Sequence, residues 1–165
     1  MPLNARGTSR LLLRPIELGD AGFLFLLLNS PGWLHYIGDR NVGDENQAKA
    51  YIERIQNTPN FEYMTVTLKE ENIPIGVVSL IKRTEYEFPD IGYALLPPYM
   101  KQGYAYEATS SLVEQVWASG IATCLLAITK SDNLSSLRLL EKLGFSRSES
   151  DNNGLAVYRF FGDIS

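Results

Sequence analysis

The segment from Phe88 to Ala108 constrains the fold of this chain more than any other, because it reads as a strand, a turn and the start of a helix. Within it, the apolar residues 91–96 are followed directly by Pro97 and Pro98. Proline has no N–H to donate to a central ladder, so the strand must end there. Gly103 then begins a segment of good helix formers. A helix that follows a strand so closely offers free backbone N–H groups in its first turn, and these favour an anion.

Two further segments, together with this strand and turn, have the order and spacing of one enzyme family. Residues 90–95 read Asp-Ile-Gly-Tyr-Ala-Leu, residues 100–105 read Met-Lys-Gln-Gly-Tyr-Ala, and residues 133–145 read Asn-Leu-Ser-Ser-Leu-Arg-Leu-Leu-Glu-Lys-Leu-Gly-Phe. They resemble a strand, the pyrophosphate-binding loop and the second signature of the GNAT N-acetyltransferases. Residues 10–16, Arg-Leu-Leu-Leu-Arg-Pro-Ile, followed by Asp20, resemble the start of the branch that includes the ribosomal-protein N-terminal acetyltransferases.

The order of predicted elements is β-α-α-β-β-β-α-β-α-β-β. That order alone predicts an α/β sheet with one parallel βαβ crossover between residues 90 and 129. The resemblance implies the GNAT acyl-CoA N-acyltransferase fold, an α+β arrangement with a mixed, mostly antiparallel central sheet and helices on both faces. In that family the two parallel strands splay apart, and the pantetheine arm of the cofactor enters the gap. Strands are expected at 11–13, 61–68, 75–81, 90–96, 123–129, 145–148 and 155–161.

Short polar residues and glycines predict where the helices begin and end. Asp20 is expected to cap a helix at 21–29, Asp44 a helix that ends before Thr58, and Ser131 or Asp132 a helix that ends at Gly144. Another helix is expected at 103–119. Residues 33–43 read as a loop, and Gly76 indicates a β-bulge.

The composition excludes several classes of protein. A chain of 165 residues has room for one domain, 1–165, with its own core. The 15 lysines and arginines against 19 acidic residues give a net charge of −4, which argues against a nucleic-acid binder. The single cysteine, Cys124, excludes an internal disulfide framework and a cysteine-rich zinc site, and no metal is expected. The apolar residues 23–28 are too few to span a membrane, so the expected protein is cytoplasmic and not membrane-bound.

The resemblance implies that acetyl-CoA is the co-substrate. The backbone N–H groups of residues 102–106 would hold its pyrophosphate, and Lys101 would add a charge. The backbone groups of residues 94–96 would hold the pantetheine arm, and the N–H of Leu95 or Leu96 would polarise the thioester carbonyl. Asn133 matches the family asparagine that bonds to the cofactor near the pantetheine. The cofactor-binding residues expected are thus Ala94, Leu95, Leu96, Lys101, Gln102, Gly103, Tyr104, Ala105, Tyr106, Asn133 and Ser136.

The chain departs from the family pattern at three positions. Met100 replaces the usual glutamine or arginine, and Lys101 stands where many members of the branch have a glycine. Leu140 occupies the position of a tyrosine that protonates the leaving thiolate in many GNAT enzymes. Ser136 lies one turn into the same helix and faces the same way as Asn133, so a hydroxyl there would take that role. Tyr104 and Tyr106 are alternative proton donors that lie nearer the phosphate.

A carboxylate is expected to accept the proton of the attacking amine, directly or through water. Asp90 begins the central strand where the branch often has an acid, and Glu85 and Glu87 are nearby; each could instead be a solvated surface acid. Trp33, His35 and Tyr36 are candidates for the acceptor groove, although His35 could equally be structural. Because Cys124 lies in a buried strand, an acetyl-cysteine route is disfavoured and direct attack in a ternary complex is favoured.

The chain is therefore interpreted as an N-acetyltransferase that moves the acetyl group of acetyl-CoA to a primary amine. The acceptor is a protein or peptide N-terminus, or a small-molecule amine. The alternative is a non-catalytic CoA-binding module with the same fold, and both a monomer and a homodimer remain open. The chain contains neither a Gly-x-x-x-x-Gly-Lys-Ser/Thr phosphate loop nor a Gly-x-Gly-x-x-Gly dinucleotide motif, which excludes P-loop kinases and disfavours Rossmann dehydrogenases.

Overall fold

Eight strands form one mixed sheet in the part of the chain that the computed structural model describes, residues 3–150 and 153–163. The strands are β1 (Arg6–Gly7), β2 (Leu11–Pro15), β3 (Phe61–Leu68), β4 (Ile73–Ile81), β5 (Asp90–Leu95), β6 (Cys124–Lys130), β7 (Ser146–Ser150) and β8 (Leu155–Phe161). The helices are α1 (Ala21–Leu28), α2 (Pro31–Tyr36), α3 (Glu45–Asn57), α4 (Tyr104–Ser119) and α5 (Leu134–Leu143). Their order in the sheet is β1-β2-β3-β4-β5-β6-β8-β7.

The predicted parallel crossover is confirmed as β5-α4-β6. Among the described strands, this is the one parallel pair, and every other neighbouring pair is antiparallel. The parallel ladder is short, because it pairs Asp90 with Leu126 and Ile91 with Ala127 and then ends. Beyond that point β5 and β6 diverge, as the resemblance implied.

Helices cover both faces of the sheet, and the alternation of side chains along each strand assigns the faces. On β4, Val78 packs with the buried residues of α4 and α5, whereas its neighbour Val77 packs with those of α1, α2 and α3. On β5, Ile91, Tyr93 and Leu95 lie on the α4/α5 face. The expected arrangement of a sheet between two helical layers is therefore confirmed.

Two predicted boundaries need correction. The segment 33–43 is not all loop, because Ser30 and Pro31 begin the short helix α2. Proline is well suited to the first position of a helix, where its missing N–H has no intrahelical role. Helix α5 is capped neither by Ser131 nor by Asp132 but by Asn133, whose side chain accepts a hydrogen bond from the Ser136 N–H.

The expected bulge at Gly76 is confirmed and shapes the end of β5. Val66 pairs with Gly76 and Thr67 with Pro74, so Ile75 is an extra residue on β4. A Cβ atom on Gly76 would overlap with the carbonyl oxygen of Ala94. Glycine therefore allows β4 to approach β5 closely at the point where β5 turns toward the predicted cofactor loop.

Asp20 occupies the predicted N-cap position of α1, but its side chain binds Arg14 of β2 instead of capping the helix. Its carboxylate makes no side-chain hydrogen bond to α1. It instead accepts two hydrogen bonds from Arg14, at 2.8 and 2.7 Å, and one each from the Thr65 hydroxyl and the Glu17 N–H. Burial alone would raise the pKa of Asp20, but these hydrogen bonds outweigh it and lower the pKa below its ordinary value.

We expect Asp20→Ala to lower the free energy of unfolding by about 3 kcal/mol, because it leaves the partly buried Arg14 without its partner. Urea unfolding near pH 7 measures this. The carboxylate's contribution is fully present above its unfolded-state pKa of 3.8. It is lost as the pH falls through the lower folded-state pKa, so the difference between the two proteins should shrink there.

The exposed ion pair Arg6–Glu114 supplies the control for this prediction. Glu114→Ala should change the unfolding free energy by less than about 0.5 kcal/mol, because exposed pairs contribute little. Equal effects of Asp20→Ala and Glu114→Ala would contradict the role given to Asp20.

Candidate active site

The gap between β5 and β6 exposes backbone amides of β5. The N–H of Leu96 donates to the Ile75 carbonyl at 2.8 Å and therefore faces β4. Because successive backbone groups point to opposite sides of a strand, the N–H groups of Tyr93 and Leu95 point toward β6, past the end of the parallel ladder. Of the two amides predicted to polarise a carbonyl, Leu96 is thus already engaged and Leu95 faces the gap. The backbone groups of Ala94 point toward β4.

The loop that follows β5 presents a series of unpaired amides. After a 3-10 turn at Pro97–Tyr99, Lys101 has φ 62° and Gly103 has φ 84°, both in the left-handed region. Among the described residues, no acceptor pairs with the backbone N–H groups of residues 101–106. A left-handed residue followed by a right-handed one, as at Gly103 and Tyr104, turns successive N–H groups into one concavity that suits an anion.

Three side chains of this loop, those of Gln102, Tyr104 and Tyr106, are held by neighbours. The Gln102 amide donates to the Pro98 carbonyl at 2.9 Å, so this side chain turns back into the loop. The Arg10 guanidinium lies 4.3 Å from the ring centroid of Tyr104, and the Lys142 ammonium lies 4.2 Å from that of Tyr106. What the loop offers a ligand is therefore mainly backbone.

Helix α5 brings two predicted residues to the gap. Asn133 caps α5 through its side-chain oxygen, which leaves its amide nitrogen as a donor. The Ser136 hydroxyl lies 2.5 Å from the hydroxyl of Tyr93, and either atom can be the donor. Burial raises the pKa of Tyr93 to about 12, so its phenol stays protonated near neutral pH. Leu140, in contrast, is only 1% exposed and packs in the core.

Asp90 lies at the start of β5 and is only 5% exposed. Its carboxylate accepts a hydrogen bond from Arg83 Nε at 2.8 Å. Burial raises the pKa of Asp90 above its ordinary value, and Arg83 offsets only part of this effect. Asp90 is thus a stronger proton acceptor than a solvated aspartate. It is not the solvated surface acid that the sequence also allowed. Glu85 and Glu87 lie in the connection before β5.

Helix α2 carries Trp33, His35 and Tyr36 next to the gap. A Cβ atom on Gly32 would touch the Met100 side chain at 3.6 Å, and the His35 carbonyl accepts a hydrogen bond from Lys130 at 2.8 Å. Because Met100 follows β5 and Lys130 ends β6, α2 lies near the C-terminal ends of both diverging strands. The indole N–H of Trp33 is buried without a hydrogen-bond partner among the described residues.

Two further classes of feature are absent from residues 3–150 and 153–163. No helix there is long and apolar enough to cross a membrane. No group of three or more histidine, cysteine or acidic side chains is placed to hold a metal ion in that part of the chain.

A mixed sheet with one diverging parallel pair and a loop of free amides beside it defines the class of acyl-CoA N-acyltransferase folds. The profile of the acetyltransferase (GNAT) domain matches residues 10–146 of this chain. The chain therefore belongs to the GNAT acetyltransferase family, and the predicted fold is confirmed.

Curated relatives and solved structures agree with this assignment. The chain is 28% identical over 140 residues to the uncharacterized N-acetyltransferase YnaD of Bacillus subtilis (strain 168), across 85% of this chain and 81% of that protein. A GNAT-family acetyltransferase from Bacillus anthracis superposes with a TM-score of 0.81 at 21% identity, covering 95% of this chain and 98% of that chain.

A structure of RimL, described as the ribosomal L7/L12 α-N-protein acetyltransferase in complex with coenzyme A, superposes with a TM-score of 0.77 at 16% identity. It covers 96% of this chain and 97% of that chain. At identities this low, the likeness is one of fold.

Three residues near the site were not predicted to act there. Tyr93 could have been found, because it alternates with Ile91 and Leu95 and so belongs on the face that meets α5. Arg83, in contrast, lies in the connection between β4 and β5, and Arg10 reaches α4 from the connection between β1 and β2, 97 positions earlier than Glu107. No local pattern indicates either contact.

The pKa of Asp90 offers a direct test of this geometry. Arg83→Met should raise it further, because the carboxylate loses its cationic partner, and Glu85→Gln should lower it, because a nearby negative charge is removed. Carbon-13 NMR titration of the Asp90 carboxyl measures both changes, with Asp90→Asn to assign the signal. Arg6→Met, which is remote from β5, is the control; unchanged values in both test variants would contradict the pairing.

Proposed function

We propose that this protein transfers the acetyl group of acetyl-CoA to a primary amine, by direct attack of the amine in a ternary complex. The observation that carries the proposal is the opening between β5 and β6, with free amides both along β5 and in the loop that follows it. Acetyl-CoA supplies an activated acetyl thioester. The RimL structure supports the choice of cofactor, because that protein of the same fold is described as a complex with coenzyme A.

The amides of residues 101–106 would hold the diphosphate of the cofactor, and Lys101 would add a cationic side chain at the same loop. Along β5, the N–H of Leu95 is available to polarise a thioester carbonyl, and the N–H of Tyr93 faces the same way. The amide nitrogen of Asn133 is a further donor at the start of α5. The cofactor would thus be bound mainly by backbone groups. Because these do not depend on the side chain, the departures from the family pattern at Met100 and Lys101 are compatible with binding.

Asp90 would accept the proton that the amine must lose. Its raised pKa increases its basicity, and its ion pair with Arg83 keeps the carboxylate oriented. It lies three positions before Tyr93 on an extended strand, a distance of about 10 Å. The proton would therefore travel through water rather than directly.

Ser136 would donate a proton to the departing thiolate. Its hydroxyl touches that of Tyr93 at 2.5 Å, so when Tyr93 donates to Ser136, the Ser136 proton is left for another acceptor. Direct attack is favoured over a covalent route because Cys124 is buried on the other side of the short parallel ladder from the gap.

The acceptor would approach along α2, where Trp33, His35 and Tyr36 lie near the open ends of β5 and β6. The amine would belong to a protein or peptide N-terminus or to a small molecule. The name of RimL, a ribosomal-protein acetyltransferase, supports the first of these.

Incubation of the protein with isotopically labelled acetyl-CoA and a panel of peptides, small amines and cell extract tests this function. We expect release of free CoA and labelled acetyl groups on amines, both read by mass spectrometry. Gly103→Val should weaken CoA binding at least tenfold in a folded protein, because the new side chain meets the left-handed backbone and the Arg10 guanidinium, 3.2 Å from its Cβ position.

Gly120→Ala is the control for the glycine variant. Gly120 also has a left-handed backbone, with φ 68°, but it lies at the other end of α4. A Cβ atom placed on it would have no neighbouring atom within 4 Å. The substitution should strain the backbone without changing CoA affinity. Tight CoA binding by the native protein without turnover of any amine would favour the non-catalytic alternative. Unchanged affinity in folded Gly103→Val would refute the loop assignment.

Ser136→Ala should lower kcat about tenfold or more and leave the KM for acetyl-CoA nearly unchanged, because general acid catalysis acts on the chemical step. Tyr93→Phe should lower kcat less, since the serine keeps its hydroxyl. Steady-state kinetics in both variants measures this, and a purely higher KM in Ser136→Ala would assign the serine to binding instead.

A further inference from the structure

We propose that Arg10 is a positioning residue of the cofactor loop: it orients the peptide between Gln102 and Gly103 so that the Gly103 N–H points toward the bound diphosphate. This inference rests on the proposed function, because it assumes that the loop holds a diphosphate. It adds a residue from the connection between β1 and β2 to a site otherwise made from the β5–α4 loop.

Arg10 precedes β2, and its guanidinium contacts the first turn of α4 and the loop before it. Its Nη1 donates to the Gln102 carbonyl at 3.0 Å, and its Nε donates to Glu107 at 2.7 Å. The same guanidinium stacks on the Tyr104 ring at 4.3 Å. A Cβ atom on Gly103 would lie 3.2 Å from Nη2, so the glycine also makes room for the arginine.

The direction of the Gly103 amide follows from the contact with the preceding carbonyl. In a trans peptide the C=O and the N–H point in opposite directions. Because the Gln102 oxygen is directed at Arg10, the Gly103 N–H is directed away from it, to the side where no described residue accepts it. The cation on the oxygen side also strengthens the peptide dipole, which makes this N–H a better donor to an anion.

Glu107 fixes Arg10 in this position. One carboxylate oxygen accepts from Arg10 Nε, and the other accepts from the Arg10 backbone N–H at 2.9 Å and from the Thr8 hydroxyl. Burial would raise the pKa of Glu107, but these hydrogen bonds outweigh it and lower the pKa, so the group stays charged. The guanidinium is therefore held from two sides, by the first turn of α4 and by the loop.

The decisive measurement is the affinity for CoA, compared with turnover of a donor that lacks the diphosphate. Arg10→Met should weaken CoA binding about tenfold by isothermal titration calorimetry. It should leave kcat/KM for S-acetyl-pantetheine unchanged at millimolar concentrations, because that donor has no phosphate for the loop to hold. Equal losses with both donors would show a general structural effect and overturn the proposal.

Two variants separate orientation from charge and from stability. Arg10→Lys keeps the charge but lacks the planar fork that bonds Gln102 and Glu107 together, so we expect it to bind CoA as weakly as Arg10→Met. Full affinity in Arg10→Lys would overturn the orienting role. Arg6→Met removes a second ion pair between the N-terminal strands and α4, with Glu114, and should keep full affinity.

CoA binding by the native protein distinguishes failure of the proposed function from failure of the role given to Arg10. If the native protein binds no CoA, the proposed function fails and this inference fails with it. If the native protein binds CoA and folded Arg10→Met binds it equally well, the inference alone is refuted and the loop assignment stands.

Discussion

The site depends on the point at which β5 and β6 stop pairing. Each of these strands has an antiparallel partner on its other side: β4 pairs with β5 along its whole length, and β8 does the same for β6. After Ile91 and Ala127, each strand follows its own partner, and the twist of the sheet separates them. The opening is therefore held from both sides by complete ladders, and neither strand needs to distort locally to form it.

The chemistry is ordered along β5 because one strand carries both ends of the site. Its carboxyl end leads into unpaired amides and cationic side chains, which suit a phosphate, and its first residue is the buried acid Asp90. The hydroxyls of Tyr93 and Ser136 lie between these ends. A single extended segment thus separates the proposed anion site from the proposed proton acceptor, Asp90. The length of the segment determines this distance, and the ladders that hold the gap open also keep it constant.

Much of the fold was readable from local patterns, and the errors have local causes. Apolar runs, prolines and glycines located the strands, the bulge at Gly76 and the end of α4, since these follow from backbone rules. Residues 33–43 were predicted to be a loop, although proline also starts helices and Pro31 here begins α2, which extends to Tyr36. The cap of α5 was misplaced because three adjacent short polar residues all suit that role, and only the fold selects Asn133.

The functional contacts were harder to predict because they join distant segments. The N–H groups of residues 102–106 were predicted to bind an anion because that role needs only consecutive backbone groups, and the structure leaves them without acceptors among the described residues. The contact between Arg10 and Glu107 joins residues 97 positions apart, and that between Tyr93 and Ser136 joins residues 43 apart. Such pairs become visible only when the order of strands is known, since no periodicity relates their positions.

The placement of polar groups favours a catalyst over a module that only binds the cofactor. Holding a diphosphate requires the loop and the start of α4, but not a buried carboxylate. Burying Asp90 with a single cationic partner costs stability, and an apolar residue there would serve a binding module better. Leu140 fits the same view: a tyrosine at this buried position would need a partner for its hydroxyl, whereas Tyr93 and Ser136 already bring hydroxyls together where α5 meets β5. If Ser136 is the proton donor, as proposed, no tyrosine is needed at position 140, because the hydroxyl pair already lies where α5 meets β5.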